Sequence, residues 1–475
     1  MRQRTASMLA LPLLAGTLQA SAQGADHGGG HGGDAIRCTS GKPEIAIIAC
    51  TNIIQDKRED GEKRAIALRN RAFHYQQLGD SNRAIADYTT ALDHPEYGIQ
   101  GKTYSNRGLM YFMKGDEDHA FADYDKALSL DPNLVSTYIN RATIFINRGE
   151  DERAISDLDQ AIQLRPEDAA VYVSRGTIYT RRGDQSRAIA DFTKAIELNP
   201  ANATAWRNRS FSYRAEGDKS AAAADAAEAI RLNPNLAAAH LDLGLSVQGP
   251  DRTAQAIAEF DKAIKLNPSD AQAFKARGDV YLASGDAARA LADFSRAIGL
   301  DEKLVSAYID RGDAHITKSD WDSAIADFDT AIALDPKSYA SYLNRGQAYG
   351  AKHEREHAIA DFTQAIRLKA DAVEAYRQRA FFRQESGDNQ GALDDYDRAI
   401  ALNPRDAEAL RGRGYVRLNR HDLDAAISDL TAAIALNPRD ALAFRFRGAA
   451  YAAKKDSRRA NLDDAAAARL NPSMH

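Results

Sequence analysis

Apolar and small residues recur along this chain with a period of 34 residues, most visibly around an Arg-Gly pair. Twelve units begin at residues 65, 101, 135, 169, 203, 237, 271, 305, 339, 373, 407 and 441; only the first is longer, by two residues near Gln100. The unit Val305 to Ser338 reads VSAYIDRGDAHITKSDWDSAIADFDTAIALDPKS. Positions 4, 8 and 11 share one face of a first helix and hold an aromatic, a small residue and usually a second aromatic, as in Tyr172, Gly176 and Tyr179. A Gly-Asp step at positions 15 and 16, such as Gly183-Asp184, ends that helix and caps a second. The second helix carries Ala at positions 20 and 27 in every unit and mostly Phe or Tyr at 24, so two helices approach closely around one ring. Pro at position 32, as in Pro336, stops it from running on.

The period, Gly at 8, Ala at 20 and 27, the aromatic at 24 and Pro at 32 resemble the tetratricopeptide repeat over residues 65–474. The resemblance implies an all-α, right-handed superhelical solenoid of twelve helix-turn-helix hairpins. Each hairpin then buries its apolar face against its neighbours, and first helices line the concave wall. Residues 43–64, with PEIAIIACTNIIQ placing Ala46, Cys50 and Ile53 at positions 20, 24 and 27, read as an N-terminal capping helix. At the far end, Asn461 and Asp464 replace apolar residues, as a terminal cap requires.

One feature departs from that family. Position 7 is Arg in eleven units, where relatives usually have Leu, and position 23 is Asp in the same eleven. The single exception at 7, Leu243, coincides with the single exception at 23, Glu259. Positions that change together predict contact, within a unit or across a junction, and hence a ladder of structural ion pairs typified by Arg311 and Asp327. The odd unit also has Gly249-Pro250 cutting its first helix short, and Ala226 precedes it where an aromatic is usual. A soft joint is expected near residues 220–252.

Positions 2, 5, 6, 9, 12 and 13 of the first helices face away from that seam. They carry Leu109, Phe112, Ile139, Ile146, Phe211, Leu245, Ile309, Ile316, Phe381 and Tyr415, some of which must pack on adjoining helices. Position 6 supplies Asn70, Asn106, Asn140, Asn208 and Asn344, amides that can bond a peptide backbone whatever its side chains, or else form a solvated stripe. Arg377, Arg411 and Arg445 at position 5, with Arg383 and Arg417 at position 11, turn the C-terminal end basic and suggest an acidic segment on a partner. The carboxylate clamp of chaperone-binding relatives needs Asn at position 9 after a basic position 5, and no unit has that combination.

The ends and the composition set the remaining expectations. Arg2 and Arg4, an apolar run from Met8 to Leu18 and the Ala20-Ser21-Ala22 step read as a signal peptide over residues 1–22, implying a periplasmic or secreted chain. Residues 23–42 read as a Gly/His-rich linker and N-terminal segment, where His27 and His31 form a spacer and not a metal site. Cys38 and Cys50, the only cysteines, are expected to form a disulfide. A net charge of −5 argues against a nucleic-acid partner, and no later stretch approaches the roughly 20 apolar residues of a membrane span. No triad or metal-ligand spacing recurs, so neither enzymatic activity nor a cofactor is expected. The function predicted is a protein-interaction scaffold for an extended peptide or protein segment, the alternative being a cell-wall or polysaccharide-associated protein.

Overall fold

A computed structural model describes residues 32–471; the expected signal peptide, His27 and His31 lie outside them. Among the described residues there are 26 α-helices and no strand. The helices follow the repeat: first helices begin at Val135, Ala169, Ala203 and onward every 34 residues to Ala441, and second helices such as Glu117–Leu130 and Trp321–Leu334 occupy positions 17 to 30. The first repeat differs, its first helix starting early at Gly61.

Helix boundaries have local causes. The Asp at position 16 accepts a backbone N–H three residues on, as Asp184 does from Arg187 and Asp320 from Ser323, satisfying an amide that the helix start leaves open. The residue before it takes a left-handed conformation, which glycine adopts without strain, as at Gly183 with φ of 79°. Four hairpins place Ser319, His353, His421 or Lys455 there, with φ from 58° to 63°. Ser319→Gly is therefore expected to stabilise the chain by about 0.5–1 kcal/mol in urea unfolding, and Gly183→Ser to destabilise it by a similar amount.

Two compact units divide the chain, residues 1–247 and 248–475, and each is described by itself. The division falls in the sixth repeat: its shortened first helix, Ala237–Ser246, belongs to the first unit and its second helix, Thr253–Leu266, to the second. Within each unit the two helices of a hairpin pack together, and each second helix packs on the next first helix.

The core of each hairpin is wider than the sequence pattern suggests. Positions 3 and 10 of the first helix are buried too and pack on the preceding hairpin, Ala314 with Phe294 and Val171 and Ile178 with Leu158. At position 24, Phe192, Phe294, Phe328 and Phe362 are fully buried, and a Cβ added at Gly176, Gly278, Gly312 or Gly346 would stand 2.6–2.8 Å from the ring. In these four repeats glycine at position 8 thus lets the first helix approach the ring closely. The aromatics at positions 4 and 11 join this core, as Tyr172 and Tyr179 do beside Phe192 and Tyr281 beside Phe294. They flank the position-7 guanidinium, as Tyr172 and Tyr179 do on Arg175 at 5.8 and 5.9 Å.

Residues 32–39 correct the expectation of a linker: Gly32–Thr39 is a helix, α1, which packs on α2 (Pro43–Gln55) and on the first helix of repeat one. The Cys38–Cys50 disulfide ties α1 to α2, with 4.8 Å between Cα atoms. His74 Nε2 donates to the Cys38 carbonyl at 3.1 Å. The pair therefore stacks on repeat one as a shortened hairpin.

Candidate peptide-binding face and the ion-pair ladder

All eleven position-7 arginines make the same fork. Nε and one terminal nitrogen donate to both oxygens of the Asp sixteen residues later in the same hairpin, at 2.6–2.9 Å. Arg311 and Asp327 form one such pair, at 2.9 and 2.6 Å. The remaining terminal nitrogen reaches back to position 25 of the preceding hairpin, for example Asp159 at 2.5 Å from Arg175 and Ser295 at 3.2 Å from Arg311. Arg71 finds the equivalent acceptor in α2, Thr51 at 3.0 Å. Each guanidinium thus closes its own hairpin and fastens it to the one before. Their side chains keep 11–24% exposure and the aspartates 4–12%. The hydrogen bonds raise the arginine pKa in most rungs, as at Arg311, with burial opposing.

Arg383 and Arg417 do not reach the candidate face. They turn inward and donate to Asp395 at 2.9 Å and Asp429 at 2.7 Å, doubling the rung where their hairpins lack the second aromatic. Glu259, in the hairpin without a position-7 arginine, is paired with Lys262 at 2.8 Å.

The predicted face residues separate into distinct groups. Asn106 lies beside the Tyr88 hydroxyl. Asn140 lies beside the Tyr124 hydroxyl, which is buried without a hydrogen bond of ordinary geometry. Asn70 accepts from Arg69 at 3.4 Å, and its amide nitrogen is 4.0 Å from Cys38 Sγ. Asn344 donates to Asp313 at 2.7 Å. Asn208 is a correction: it is 1% exposed, beneath the Arg207–Asp242 pair at 2.7 Å, and cannot meet a peptide in this arrangement. The basic end is a second correction. Arg377 contacts Glu408 at 2.7 Å and Arg411 contacts Asp440 at 2.7 Å, so both are charge-compensated within the chain. Of the apolar face residues, Ile139 and Ile146 are buried, most others are half-buried and Phe381 is 45% exposed.

Sequence reasoning missed a contact between cations at position 5 and carboxylates of the following repeat, Arg207 with Asp242 and Lys275 with Asp310 at 2.6 Å. Lys275 also meets Asp279, and Asp310 neighbours Asp313. Burial, reinforced by Asp310 and opposed by the Asn344 amide, pushes the Asp313 carboxyl up to about 6. A carboxyl that binds its proton more tightly folded than unfolded favours folding as pH falls through its folded value towards the unfolded one. Asp313→Asn should therefore be the more stable protein at pH 7.5, by about 1 kcal/mol after screening, and lose that advantage below pH 4. Paired urea titrations check this; a constant difference would contradict it.

Against known families, the tetratricopeptide repeat description matches residues 101–134, which is the second unit, and residues 139–203 and 181–237. Over residues 101–134 and 139–237 the hairpins are tetratricopeptide repeats. A second description, the ETO1 C-terminal domain, matches residues 253–422. Comparison with curated proteins gives no match. Among solved structures, the tetratricopeptide protein YrrB, described as having an unusual peptide-binding site, is 25% identical, covering 38% of this chain and 93% of its own, with a TM-score of 0.34. Yeast Tom70 is 17% identical over 86% of this chain and 97% of its own, with a TM-score of 0.38. A tetratricopeptide repeat protein from Parabacteroides merdae is 20% identical over 52% of this chain and 97% of its own, with a TM-score of 0.42.

Proposed function

We propose that this chain is a non-catalytic scaffold of the cell envelope that holds an extended segment of a partner protein along the first-helix face of a repeat unit. The observation that carries this reading is the composition of that face. Amides at Asn106 and Asn140 alternate with half-buried Leu109 and Phe112, so a backbone and apolar side chains both find partners. The Cys38–Cys50 bond supports an oxidising compartment, in keeping with the leader-like N-terminus. Polysaccharide stacking is disfavoured, because most rings at positions 4 and 11 flank ladder arginines. Photoreactive benzoylphenylalanine at Asn106 or Asn344 should capture proteins from envelope extract, and the same group at exposed Lys194 on a second helix should not. Equal capture from all three would contradict the assignment.

A further inference from the structure

We infer that repeat one carries a subsite for an aspartate or glutamate side chain of a partner segment, built on Arg69. This rests on the scaffold reading above and names part of what the face selects.

Four other position-5 cations have a carboxylate nearby: Arg207 with Asp242, Lys275 with Asp310, Arg377 with Glu408 and Arg411 with Asp440, all at 2.6–2.7 Å. In the first two, the acid is position 6 of the following repeat. At Arg69 that position is Asn106, a neutral amide of similar shape. The guanidinium of Arg69 has only the Asn70 carbonyl oxygen, at 3.4 Å, and no carboxylate among the described residues lies within ion-pair distance. Burial without a counter-charge depresses its pKa.

The surroundings are polar and arranged for an anion. Tyr88, whose hydroxyl donates to Gln76 Oε1 at 3.0 Å, lies beside both Arg69 and Asn106. Arg69 and the amides of Asn70 and Asn106 can donate to an entering carboxylate. Asp242 shows the arrangement already filled: its carboxylate receives Arg207 at 2.7 Å and approaches Arg214 at 3.5 Å. Repeat one has the cation and lacks the acid, so a partner's side chain can supply it. The template acids are side chains, which is why a side-chain carboxylate is assigned over a chain terminus.

The test uses the full mature chain and an array of twelve-residue peptides with amidated C-termini. Each peptide is made in an Asp/Glu form and an otherwise identical Asn/Gln form. The acidic forms should bind at least about tenfold more tightly, and the preference should vanish in Arg69→Gln. It should vanish equally in Asn106→Asp, which supplies an internal carboxylate and should leave the melting temperature unchanged or higher, showing that the loss is not unfolding. Binding without acidic preference, or a preference that survives Arg69→Gln or Asn106→Asp, would overturn the subsite while leaving the scaffold standing. Failure of every peptide to bind would overturn both.

Discussion

Asp327→Asn is expected to destabilise the chain by about 3–5 kcal/mol, against about 1 kcal/mol or less for Glu259→Gln. Asp327 is buried and takes both arms of the Arg311 fork, so the amide leaves a partly buried guanidinium with half its donors facing no charge. The third arm, to Ser295, is too weak an acceptor to compensate. Glu259 pairs with Lys262, whose side chain is 56% exposed and open to screening by water. Equilibrium urea unfolding of both variants decides the matter, and equal losses would show that the ladder is incidental. Replacing both Arg311 and Asp327 by apolar residues should cost less than removing Asp327 alone, because no charge is then left without a partner.

Phe192→Ala should cost a similar amount, about 3–5 kcal/mol, through lost burial and the cavity left between the two helices of repeat four. Phe192 is fully buried, and Gly176 faces it so closely that an added Cβ would stand 2.8 Å from the ring. Gly176→Ala alone should therefore destabilise by about 1–3 kcal/mol through overpacking. In the Phe192→Ala background the same change should be neutral or stabilising, since the methyl enters vacated space. A double-mutant cycle with additive effects would refute the assignment of position 8 to close approach.

The two residues of a rung were legible because they vary together: Leu243 and Glu259 break the pattern in the same unit. The third arm was equally visible. Position 25 is Asp, Thr or Ser before every unit with a position-7 arginine, and it is Ala227 before Leu243. Positions 3 and 10 are hard to read as core because they hold residues as unlike as Ala307, Thr137 and Met110, whereas the rings at 4 and 11 stand out. The rings have a second role, because a guanidinium, once its charge is matched, packs against aromatic faces as an apolar group would. Asn208 could not be read as buried, since its cover depends on Asp242, one repeat further on. Helix α1 was hidden by the Gly-rich stretch before it, and its packing depends on the Cys38–Cys50 bond and His74.

Hydrogen exchange of the intact chain, free and with a peptide identified by photocapture at Asn106, tests the first-helix face most directly. Bound peptide should slow exchange in Gln100–Met113 and Val135–Arg148 and leave the second helix between them, Glu117–Leu130, unchanged. Protection confined to second helices, or none in either first helix, would contradict binding on this face.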